Sequence, residues 1–534
     1  MTEPSPPHTL PDKAAGGILS NAISGFLVFL IALPLCLGIA MASGFPPVAG
    51  VLSAIVGGIV VTWIGSAELT IKGPAAGLIV IALGAVNELG MGDPVLGYKR
   101  ALAVGTVAAL IQIAIALSRA GVLASIMPPA VVHGMLAAIG VIIIAKQTPV
   151  MLGVVGAHGE PLEMLLELPH YVAEANPEVL LIGLISLLTL IFLPLIPALK
   201  KVPAPMVALL LTVPMGLALH FSEAHTYTLG NHDYVLGPEF LVHLPGNLLE
   251  AVTFPDFSMI TSPISVKYIA MFALVGTIES LLSVIAVDSM DPEHRVSDLN
   301  KDLLATGIGN LIVSMIGGIP MISEIVRSKA NIDAGASSRW SNFFHGLALL
   351  FFVALLPGLL QQIPLAALAA MLVYTGARLA SPSEFKHAWE IGADQLGVFV
   401  TTFVVTLATD LLVGVGVGLL LKLGLHVARG AHPLEMLRSP ITVEVEERRV
   451  RIEVHGPAVF TNLLAVRRAL HDVGDEVELV EVDVSNATLL DHTFLEKVHM
   501  AAQEWPNAKL SLVGLDQFDA AGEHPHACRR RKVA

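Results

Sequence analysis

Long apolar stretches alternate with short clusters of charge, glycine and proline over the first 430 residues. No Asp, Glu, Lys or Arg occurs in residues 14–67, 120–145 or 340–377. A helix needs only about 20 apolar residues to cross a hydrocarbon layer of about 30 Å. The breaks in the pattern predict two sets of seven spans: 16–43, 47–64, 74–90, 101–118, 127–147, 179–199 and 203–221, then 266–288, 302–317, 322–335, 339–358, 363–378, 394–410 and 412–428.

The third span of each set, 74–90 and 322–335, is short or interrupted by glycine and proline. An odd number of spans in each half predicts that the halves are inverted relative to one another. Broken spans at corresponding positions of two inverted halves are typical of a transporter whose substrate binds near the membrane midplane. We therefore predict a site formed by residues 72–77 and 317–323.

Loop charge predicts the orientation, because Lys and Arg accumulate on the cytoplasmic side of a membrane protein. Residues 202–266 contain no Lys or Arg. The basic positions that share one side, if the N-terminus is inside, are Lys200, Lys201, Arg295, Lys301, Arg339, Arg378, Lys386, Lys422 and Arg429. Lys99 and Arg100 are exceptions. We expect a multi-pass protein of the cytoplasmic (inner) membrane with both termini in the cytoplasm.

Composition changes near residue 430. The 534-residue chain is 54% hydrophobic and 14% charged, whereas a soluble protein has about 25% charged residues. The first 430 residues hold 18 basic and 27 acidic side chains, and the last 104 hold 12 and 17. We therefore predict an N-terminal tail at 1–15, a transmembrane domain at 16–430, a soluble α/β domain at 441–520 and a basic C-terminal tail at 521–534.

Several classes of protein are excluded. The net charge of −14 provides no general basic surface for nucleic acid. Neither the two cysteines, Cys36 and Cys528, nor the scattered histidines have metal-ligand spacing, and we expect the histidines to be solvated. Because no nucleotide loop, nucleophile elbow or metal cluster is found, we expect neither an enzyme nor a resident cofactor or metal. The N-terminus does not resemble a cleaved signal peptide.

The first broken span offers backbone to an anion. Pro74 is predicted at the first helical position, where its missing N–H costs nothing. Gly73 and the run Ala75-Ala76-Gly77 would allow a ligand to approach the backbone closely. An anion would meet free N–H groups and the positive end of a helix dipole there.

The second broken span adds a full positive charge. Ser323 is predicted to cap a helix, on which Glu324, Arg327, Ser328 and Asn331 share one face. If two helix N-termini meet near the midplane, Arg327 completes an anion site.

Two acidic side chains are candidates for cation coupling, Glu279 and Glu324. Glu279 lies in an otherwise uncharged span, and a carboxylate there is functional by default, with a proton or a nearby Na⁺ reducing the cost of burial. The alternatives are a structural ion pair of Glu279 with Lys or Arg and a local salt bridge of Glu324 with Arg327. Lys72 either lines the site or extends toward the membrane surface.

Three runs resemble the sulfate permease (SulP) family of anion transporters: Gly73-Pro74-Ala75-Ala76, Glu279-Ser280-Leu281-Leu282, and the segment from Gly309 to Gly346 that contains IVRSKANIDAGA. The end of the chain resembles the family's cytoplasmic STAS domain. The resemblance implies an α-helical membrane protein with a seven-plus-seven inverted repeat, core and gate domains, elevator-like movement and homodimers. It places the anion between the third and tenth helices, at Gly73, Pro74, Ala75, Ala76, Ser323, Arg327 and Ser328.

The chain departs from the family pattern at three positions. Leu35 stands after Pro34 where many members have glutamine, and Lys72 and Glu324 are charged where others are often small or polar.

The STAS-like region also has an α/β pattern of its own. Strands are predicted at 450–454, 479–484 and 509–515, and a helix at 493–504. Asp491-His492-Thr493 stands where signalling members have Asp-Ser-Ser-Gly, so Thr493 is predicted as a helix N-terminal residue and not as a phosphorylation site. We expect this domain to serve assembly and regulation.

The sequence thus predicts secondary active transport of sulfate or bicarbonate, driven by H⁺ or Na⁺ symport or by anion exchange. Three alternatives stay open: a passive anion channel on the same fold, a transporter of dicarboxylates or other organic substrates, and a membrane anchor with a signalling tail. Glu279 and Glu324 argue against the channel, because carboxylates beside an anion site require a neutralising cation.

Overall fold

The computed structural model describes most of the chain. The predicted N-terminal tail, apart from Ala15, and the basic loop at Lys200 and Lys201 lie outside the described residues. The described residues are 15–121, 127–157, 159–199, 202–229, 232–244, 248–293, 295–437, 441–446, 449–461, 463, 466, 477, 479–504, 509–522 and 524–532.

Helices account for most of the described residues. In chain order they are α1 (Ala15–Ala42), α2 (Pro47–Val56), α3 (Ile79–Gly90), α4 (Pro94–Leu117), α5 (Pro129–Leu152), α6 (Pro161–Leu166), α7 (Leu168–Ala173), α8 (Pro177–Phe192), α9 (Ala204–Ala218), α10 (Pro263–Met290), α11 (Leu299–Ile316), α12 (Ile325–Asp333), α13 (Trp340–Leu355), α14 (Pro357–Leu360), α15 (Leu365–Leu379), α16 (Pro382–Ile391), α17 (Ala393–Ala408), α18 (Leu411–Ala428), α19 (Pro433–Leu437) and α20 (His492–Glu504). A π-helical turn extends α2 toward Ile64, and a 3-10 turn at Ala76–Leu78 precedes α3.

The strands form four small sheets among the described residues. They are β1 (Ile71–Pro74), β2 (His225–Leu229), β3 (His232–Leu236), β4 (Met321–Glu324), β5 (Ile441–Glu446), β6 (Arg449–Val454), β7 (Gly456–Ala458), β8 (Leu479–Asp483), β9 (Ala487–Leu490), β10 (Lys509–Val513), β11 (Phe518–Ala520) and β12 (Arg529–Arg531). β1 and β4 form an antiparallel pair, β2 and β3 form a hairpin, and the other eight strands form two four-stranded sheets near the C-terminus.

Eight helical segments of the described chain are long and apolar enough to cross a membrane. They are Gly17–Ala42, Pro47–Ile64, Pro94–Leu117, Pro129–Leu152, Pro177–Leu195, Pro263–Met290, Leu365–Ile391 and Leu411–Ala428. Shorter apolar helices lie at Ala76–Gly90, Ala204–Ala218, Trp340–Leu355 and Ala393–Ala408. The two other predicted spans, 302–317 and 322–335, coincide with α11 and with β4 plus α12. Each predicted span therefore coincides with a helical segment, and the two broken ones begin as strands.

Polar caps and glycine fix the ends of these helices. Asp93 accepts bonds of 2.9 and 3.2 Å from N–H groups in the first turn of α4. Asp298 does the same for α11 at 2.9 and 3.0 Å, and Asp410 for α18 at 2.9 Å. These carboxylates supply partners that the first helical turn lacks. Gly317 ends α11 at φ +100°, a conformation that glycine adopts without strain, and turns the chain into β4.

The chain divides into two compact units. The first comprises residues 1–118, 147–156 and 170–374, and the second 119–146, 157–169 and 375–534. In the first unit α1, α2 and α13 pack together through a buried apolar core that includes Phe29, Leu33, Leu37, Val51, Leu349 and Val353. The β1–β4 pair lies in this unit.

The second unit contains the C-terminal α/β region. One of its two four-stranded sheets has the order β10-β8-β6-β5, with β10, β8 and β6 parallel and β5 antiparallel to β6. Apolar side chains of β6, β8 and α20 form the core, among them Val450, Ile452, Val480, Val482, Phe494 and Val498. The predicted strands at 450–454 and 479–484 and the helix at 493–504 are confirmed. The predicted strand at 509–515 ends earlier, at Val513, because Gly514 takes φ +91° and a 3-10 turn begins at Leu515.

The fold class, a helical membrane protein with a C-terminal α/β region, is confirmed. One segment near the C-terminus differs from expectation. Arg529–Arg531, predicted as part of the basic C-terminal tail, form β12 between β11 and β9 in the other four-stranded sheet, with Arg529 opposite both Ala520 and Leu490. Backbone pairing holds this segment, while the side chains of Arg530 and Arg531 stay exposed.

Candidate functional site

The two broken spans meet through their strands. In the antiparallel pair, Ile71 lies opposite Glu324 and Pro74 opposite Met321. β1 continues through the 3-10 turn into α3, and β4 continues directly into α12. The strands pair residues 71–74 with 321–324, so the structure brings together the two segments that the sequence analysis singles out. Non-helical backbone is tolerated at membrane depth only inside a protein or beside a cavity.

Arg327 is the central cation of this arrangement. It lies in the first turn of α12 with only 1% of its side chain exposed. One terminal nitrogen, Nη2, donates to the carbonyl oxygen of Pro74 and lies 3.4 Å from Glu324 Oε1. The other, Nη1, donates to Cys36 Sγ at 3.4 Å. The predicted local salt bridge of Glu324 with Arg327 is therefore present, and the guanidinium also joins α12 to β1 and α1.

The glycines of the first broken span make room for charged side chains. A Cβ atom on Gly73 would lie 2.6 Å from Arg327 Nη1, and one on Gly77 would lie 2.0 Å from Glu279 Oε1. Pro74 is the last residue of β1 and not the first helical residue, because the chain stays extended through Ala75 (φ −114°, ψ 145°). The helix begins only after that residue.

Glu279 carries a buried carboxylate. It lies in α10 and is 7% exposed, and its Oε1 has no hydrogen-bond partner among the described residues. No Lys or Arg in the described part of the chain forms an ion pair with it. The alternative prediction, a structural ion pair with Lys or Arg, is therefore wrong for the described chain. A buried carboxylate oxygen without a partner is costly unless a proton or a cation occupies it.

Lys72 has a buried acidic partner that sequence reasoning missed. Its Nζ donates to Asp302 Oδ2 and to Ser323 Oγ, the latter at 2.5 Å. Lys72 is 3% exposed and Asp302 is fully buried. The ion pair explains Lys72 better than either predicted alternative, because the ammonium is already neutralised inside the protein. Asp302 lies at the edge of a predicted span, where an acidic side chain looks like an ordinary charge at a helix start.

Two predicted site serines have structural contacts. Ser323 lies in β4, and its Oγ accepts a hydrogen bond from Lys72 Nζ. Its Oγ and its backbone N–H each form a hydrogen bond of 3.2 Å with Ser280 Oγ. It does not cap α12, whose N-cap residue is Glu324 and has no side-chain cap bond. Ser328 Oγ accepts from the Ile71 N–H at 2.8 Å, so it fastens α12 to the start of β1. The predicted polar face is observed, since Arg327, Ser328 and Asn331 are all buried.

A polar network behind β4 also escaped sequence reasoning. The side-chain amide of Asn310 bonds both backbone groups of Met321, accepting at 2.6 Å and donating at 3.0 Å. It also donates to Gln112 at 2.9 Å. A void of about 10 Å³ beside Gln112, Asn310 and Gly276 has room for about one water molecule. A single amide side chain inside a long apolar helix does not change the hydropathy pattern. The hydrogen bonds of Asn310 that hold β4 are therefore visible only in the structure.

Three histidines of the described chain, His345, His426 and His492, are buried, contrary to the expectation that histidines are solvated. His345 in α13 is fully buried, and neither ring nitrogen has a hydrogen-bond partner among the described residues. In the second unit His426 Nε2 lies 3.3 Å from Asp491 Oδ2, and Lys422 Nζ lies 4.0 Å from the same oxygen. Burial alone would raise the pKa of Asp491, but the close contact with His426 and the charge of Lys422 outweigh it and lower that pKa. The C-terminal α/β region thus neutralises a lysine on the last apolar helix, α18.

No group of three His, Cys, Asp or Glu side chains in the described residues is already arranged to hold a metal ion. Cys36 and Cys528 are both free thiols. The charges around the β1–β4 pair are Lys72 with Asp302, Arg327 with Glu324, and Glu279. If all are ionised, the first two pairs cancel and Glu279 leaves one negative charge.

Comparison with known proteins shows the family of the chain. The model of a family described as the sulfate permease family matches residues 18–404. The putative sulfate transporter YvdB of Bacillus subtilis is 26% identical over 456 residues, which cover 84% of this chain and 82% of that protein. The bicarbonate transporter BicA of Synechocystis is 24% identical over 501 residues, covering 91% of this chain and 86% of BicA.

Solved structures share the fold. The transmembrane domain of a cyanobacterial BicA superposes with a TM-score of 0.64 at 24% identity, covering 74% of this chain and 97% of that domain. The murine anion transporter Slc26a9, in an inward-facing state, superposes with a TM-score of 0.69 at 14% identity. The match covers 94% of this chain and 86% of the Slc26a9 chain.

Proposed function

The chain belongs to the sulfate permease family of anion transporters, and from that premise we propose that it carries sulfate or bicarbonate by secondary active transport coupled to H⁺ or Na⁺. It is a multi-pass membrane transporter and not an enzyme. The two substrates are those that the names of the Bacillus and cyanobacterial relatives state.

The observation that carries the proposal is the buried Arg327. An anion that leaves water needs a cation and several N–H donors, and a guanidinium offers five donors in a plane. Here those donors reach the Pro74 carbonyl, Cys36 and Glu324, all at the β1–β4 pair. An oxyanion would take the place of the Glu324 carboxylate on the guanidinium, with Gly73, Pro74, Ala75, Ala76, Ser323 and Ser328 as the wall.

The same charges supply the reason for coupling. With Lys72 paired to Asp302 and Arg327 to Glu324, an ionised Glu279 makes the surroundings of the β1–β4 pair negative. An arriving anion would then be repelled strongly, because like charges interact over short distances with little screening in a dry site. A proton on Glu279 or Glu324, or Na⁺ beside Glu279, removes the repulsion. We assign cation coupling to these two carboxylates for that reason.

The remaining features of the proposal rest on the inverted halves and on the family resemblance. They are a seven-plus-seven arrangement with core and gate domains, an elevator-like movement that carries the site across the membrane, a homodimer, and termini in the cytoplasm of a cell whose inner membrane holds the protein. The C-terminal STAS-like domain then acts in assembly and regulation, through contacts such as that of Asp491 with Lys422.

Uptake by proteoliposomes tests the proposal. Vesicles containing the purified protein are given radiolabelled sulfate, bicarbonate or fumarate, each with and without an inward H⁺ or Na⁺ gradient. We expect accumulation of sulfate or bicarbonate above equilibrium only with one of the gradients, and faster uptake when unlabelled anion is inside. Gradient-independent equilibration without this trans-stimulation would indicate a passive channel, and accumulation of fumarate alone would indicate an organic-anion transporter.

A further inference from the structure

Histidines that are scattered in the sequence meet on the second unit. Helix α20 contributes His492, Glu496 and His499, whose spacings of four and three residues place them on one helical face. The loop between β11 and β12 contributes two more histidines. We call this set the histidine cluster; it lines a cavity of about 440 Å³ and consists of His387, His492, Glu496, His499, His524 and His526.

The spacing of the rings is close to that of ligands on one metal ion. Three ring centres form a closed triangle, with 5.9 Å from His492 to His524, 5.4 Å from His524 to His526 and 6.4 Å from His492 to His526. His499 lies 5.1 Å from His526, and His387 lies 6.2 Å from His524. With a Zn–N distance of about 2.0–2.1 Å, two imidazoles on a tetrahedral zinc have ring centres about 5 Å apart.

His492 is oriented as a metal ligand would be. Its Nδ1 lies 2.9 Å from the backbone carbonyl oxygen of His526. A carbonyl only accepts, so Nδ1 carries the proton and Nε2 presents its lone pair. Metal-ligating histidines are usually fixed by such a bond from the other ring nitrogen. His492 is also only 3% exposed, which limits its rotation.

Glu496 faces that lone pair. Its Oε2 lies 4.0 Å from His492 Nε2 and is buried without a hydrogen-bond partner among the described residues. His492 Nε2 and Glu496 Oε2 are both acceptors, and a cation bound between them would satisfy both.

We propose that the histidine cluster binds a divalent transition metal of the zinc type, with His492, Glu496, His499 and His526 as ligands and His524 and His387 beside them. Imidazole donors with one carboxylate suit zinc and its neighbours in the first transition row. Among the described residues no three His, Cys, Asp or Glu side chains are placed to hold a metal ion in their present rotamers. Binding therefore requires small side-chain rotations, and His524 is less suited as a ligand because its Nδ1 accepts from the His526 N–H at 3.1 Å.

The ligands come from α20 and from the loop before β12, and His387 of α16 lies at the same cavity. A bound metal would therefore fasten segments that are more than 20 residues apart in the sequence.

Metal binding by the purified full-length protein tests the proposal. The protein carries an affinity tag without histidine, and Co²⁺ serves as the probe because its visible absorption distinguishes tetrahedral from octahedral ligation. We expect about one Co²⁺ per chain with an intense tetrahedral spectrum, displaced by Zn²⁺. Calorimetry then gives the zinc affinity.

Two variants separate the cluster from other histidines. The exposed or half-exposed set His499→Gln, His524→Gln and His526→Gln should weaken zinc binding at least about tenfold, and Glu496→Gln alone should weaken it in the same direction. The matched control replaces three exposed histidines outside the cluster, His170→Gln in α7, His232→Gln in β3 and His243→Gln, and should bind zinc as the parent does. Circular dichroism verifies that both sets are folded. Unsaturable binding, an octahedral spectrum only, or equal losses in the two sets would overturn the proposal.

Discussion

Gly77 and Glu279 touch so closely that a Cβ atom on Gly77 would lie 2.0 Å from Glu279 Oε1. The glycine belongs to the first broken span and the glutamate to α10, the first helix of the second half. Glu279, which we propose as a coupling residue, therefore contacts the backbone that follows β1. A movement of Glu279 would act on the 3-10 turn that follows β1.

Gly77→Ala should disturb this contact. The added methyl group forces Glu279 or the start of α3 to move, and we expect a loss of stability of about 1–3 kcal/mol and a large loss of uptake. Thermal unfolding and proteoliposome uptake measure the two effects. Gly416→Ala in α18 is the matched control, because nothing lies within 4 Å of its Cβ position, and it should unfold and transport as the parent does.

A double variant tests whether the clash with Glu279 causes the loss of stability in Gly77→Ala. Gly77→Ala combined with Glu279→Ala should regain most of the lost stability, since the clash is removed, while cation-coupled accumulation stays absent. If the double variant is no more stable than Gly77→Ala, the glycine is needed for a reason other than the contact with Glu279.

Arg327→Ala should abolish anion binding or weaken it strongly while the protein stays folded. Of the two cations at the β1–β4 pair, Lys72 is held by Asp302, whereas the guanidinium of Arg327 provides the donors that an anion would take over from Glu324. Equilibrium binding of sulfate and bicarbonate to the purified protein measures the effect. Lys329→Ala on the same helix is the control, because Lys329 is 60% exposed and forms only a surface pair with Asp333. Unchanged affinity in Arg327→Ala would exclude Arg327 from the site.

Sequence patterns predict the fold well because hydropathy and loop charge are local properties. The broken spans, the polar face of Arg327, Ser328 and Asn331, and three of the C-terminal strands, β6, β8 and β10, follow from spacing. The other C-terminal strands, among them β12, are not predicted from the sequence. The partners do not follow, because they are far apart in the chain: Lys72 and Asp302 are separated by 230 residues, and Asn310 and Gln112 by 198. Gly73 and Gly77 signal close approach in the sequence, but only the structure shows that Arg327 and Glu279 are what approaches.

Deletion of residues 441–534 should lower expression or thermal stability without changing the order of anion preference. Without the C-terminal region Lys422, which is fully buried, loses Asp491 at 4.0 Å, and an unpaired buried charge costs about 3–5 kcal/mol. Lys422→Met in the truncated protein should restore part of the lost stability, and Asp491→Asn in the full chain should reproduce part of the loss. A changed order of preference among sulfate, bicarbonate and fumarate would contradict this division of roles.

Acid should weaken the ion pair of Glu68 with Arg339, which joins the loop before β1 to the start of α13. Burial alone would raise the pKa of Glu68, but hydrogen bonds from the side chain and backbone of Arg339, together with its charge, lower that pKa. A lowered folded-state pKa stabilises the protein above the ordinary value of about 4.3, and this contribution is lost as pH falls through the folded-state value. Glu68→Gln should thus unfold about 1 kcal/mol more easily at pH 7, with the difference from the parent shrinking below about pH 4. A difference that stays constant with pH would contradict the ionised pair.

Glu279→Gln tests the central claim most directly. The variant keeps the size of the side chain and removes its charge, so it imitates the carboxylate that has received its proton. Uptake is measured in proteoliposomes with labelled anion, once as exchange against internal anion and once as accumulation driven by an H⁺ or Na⁺ gradient. Coupling through Glu279 predicts that exchange persists while gradient-driven accumulation disappears. A well-folded Glu279→Gln protein that still accumulates anion in response to the same gradient as the parent would contradict the account.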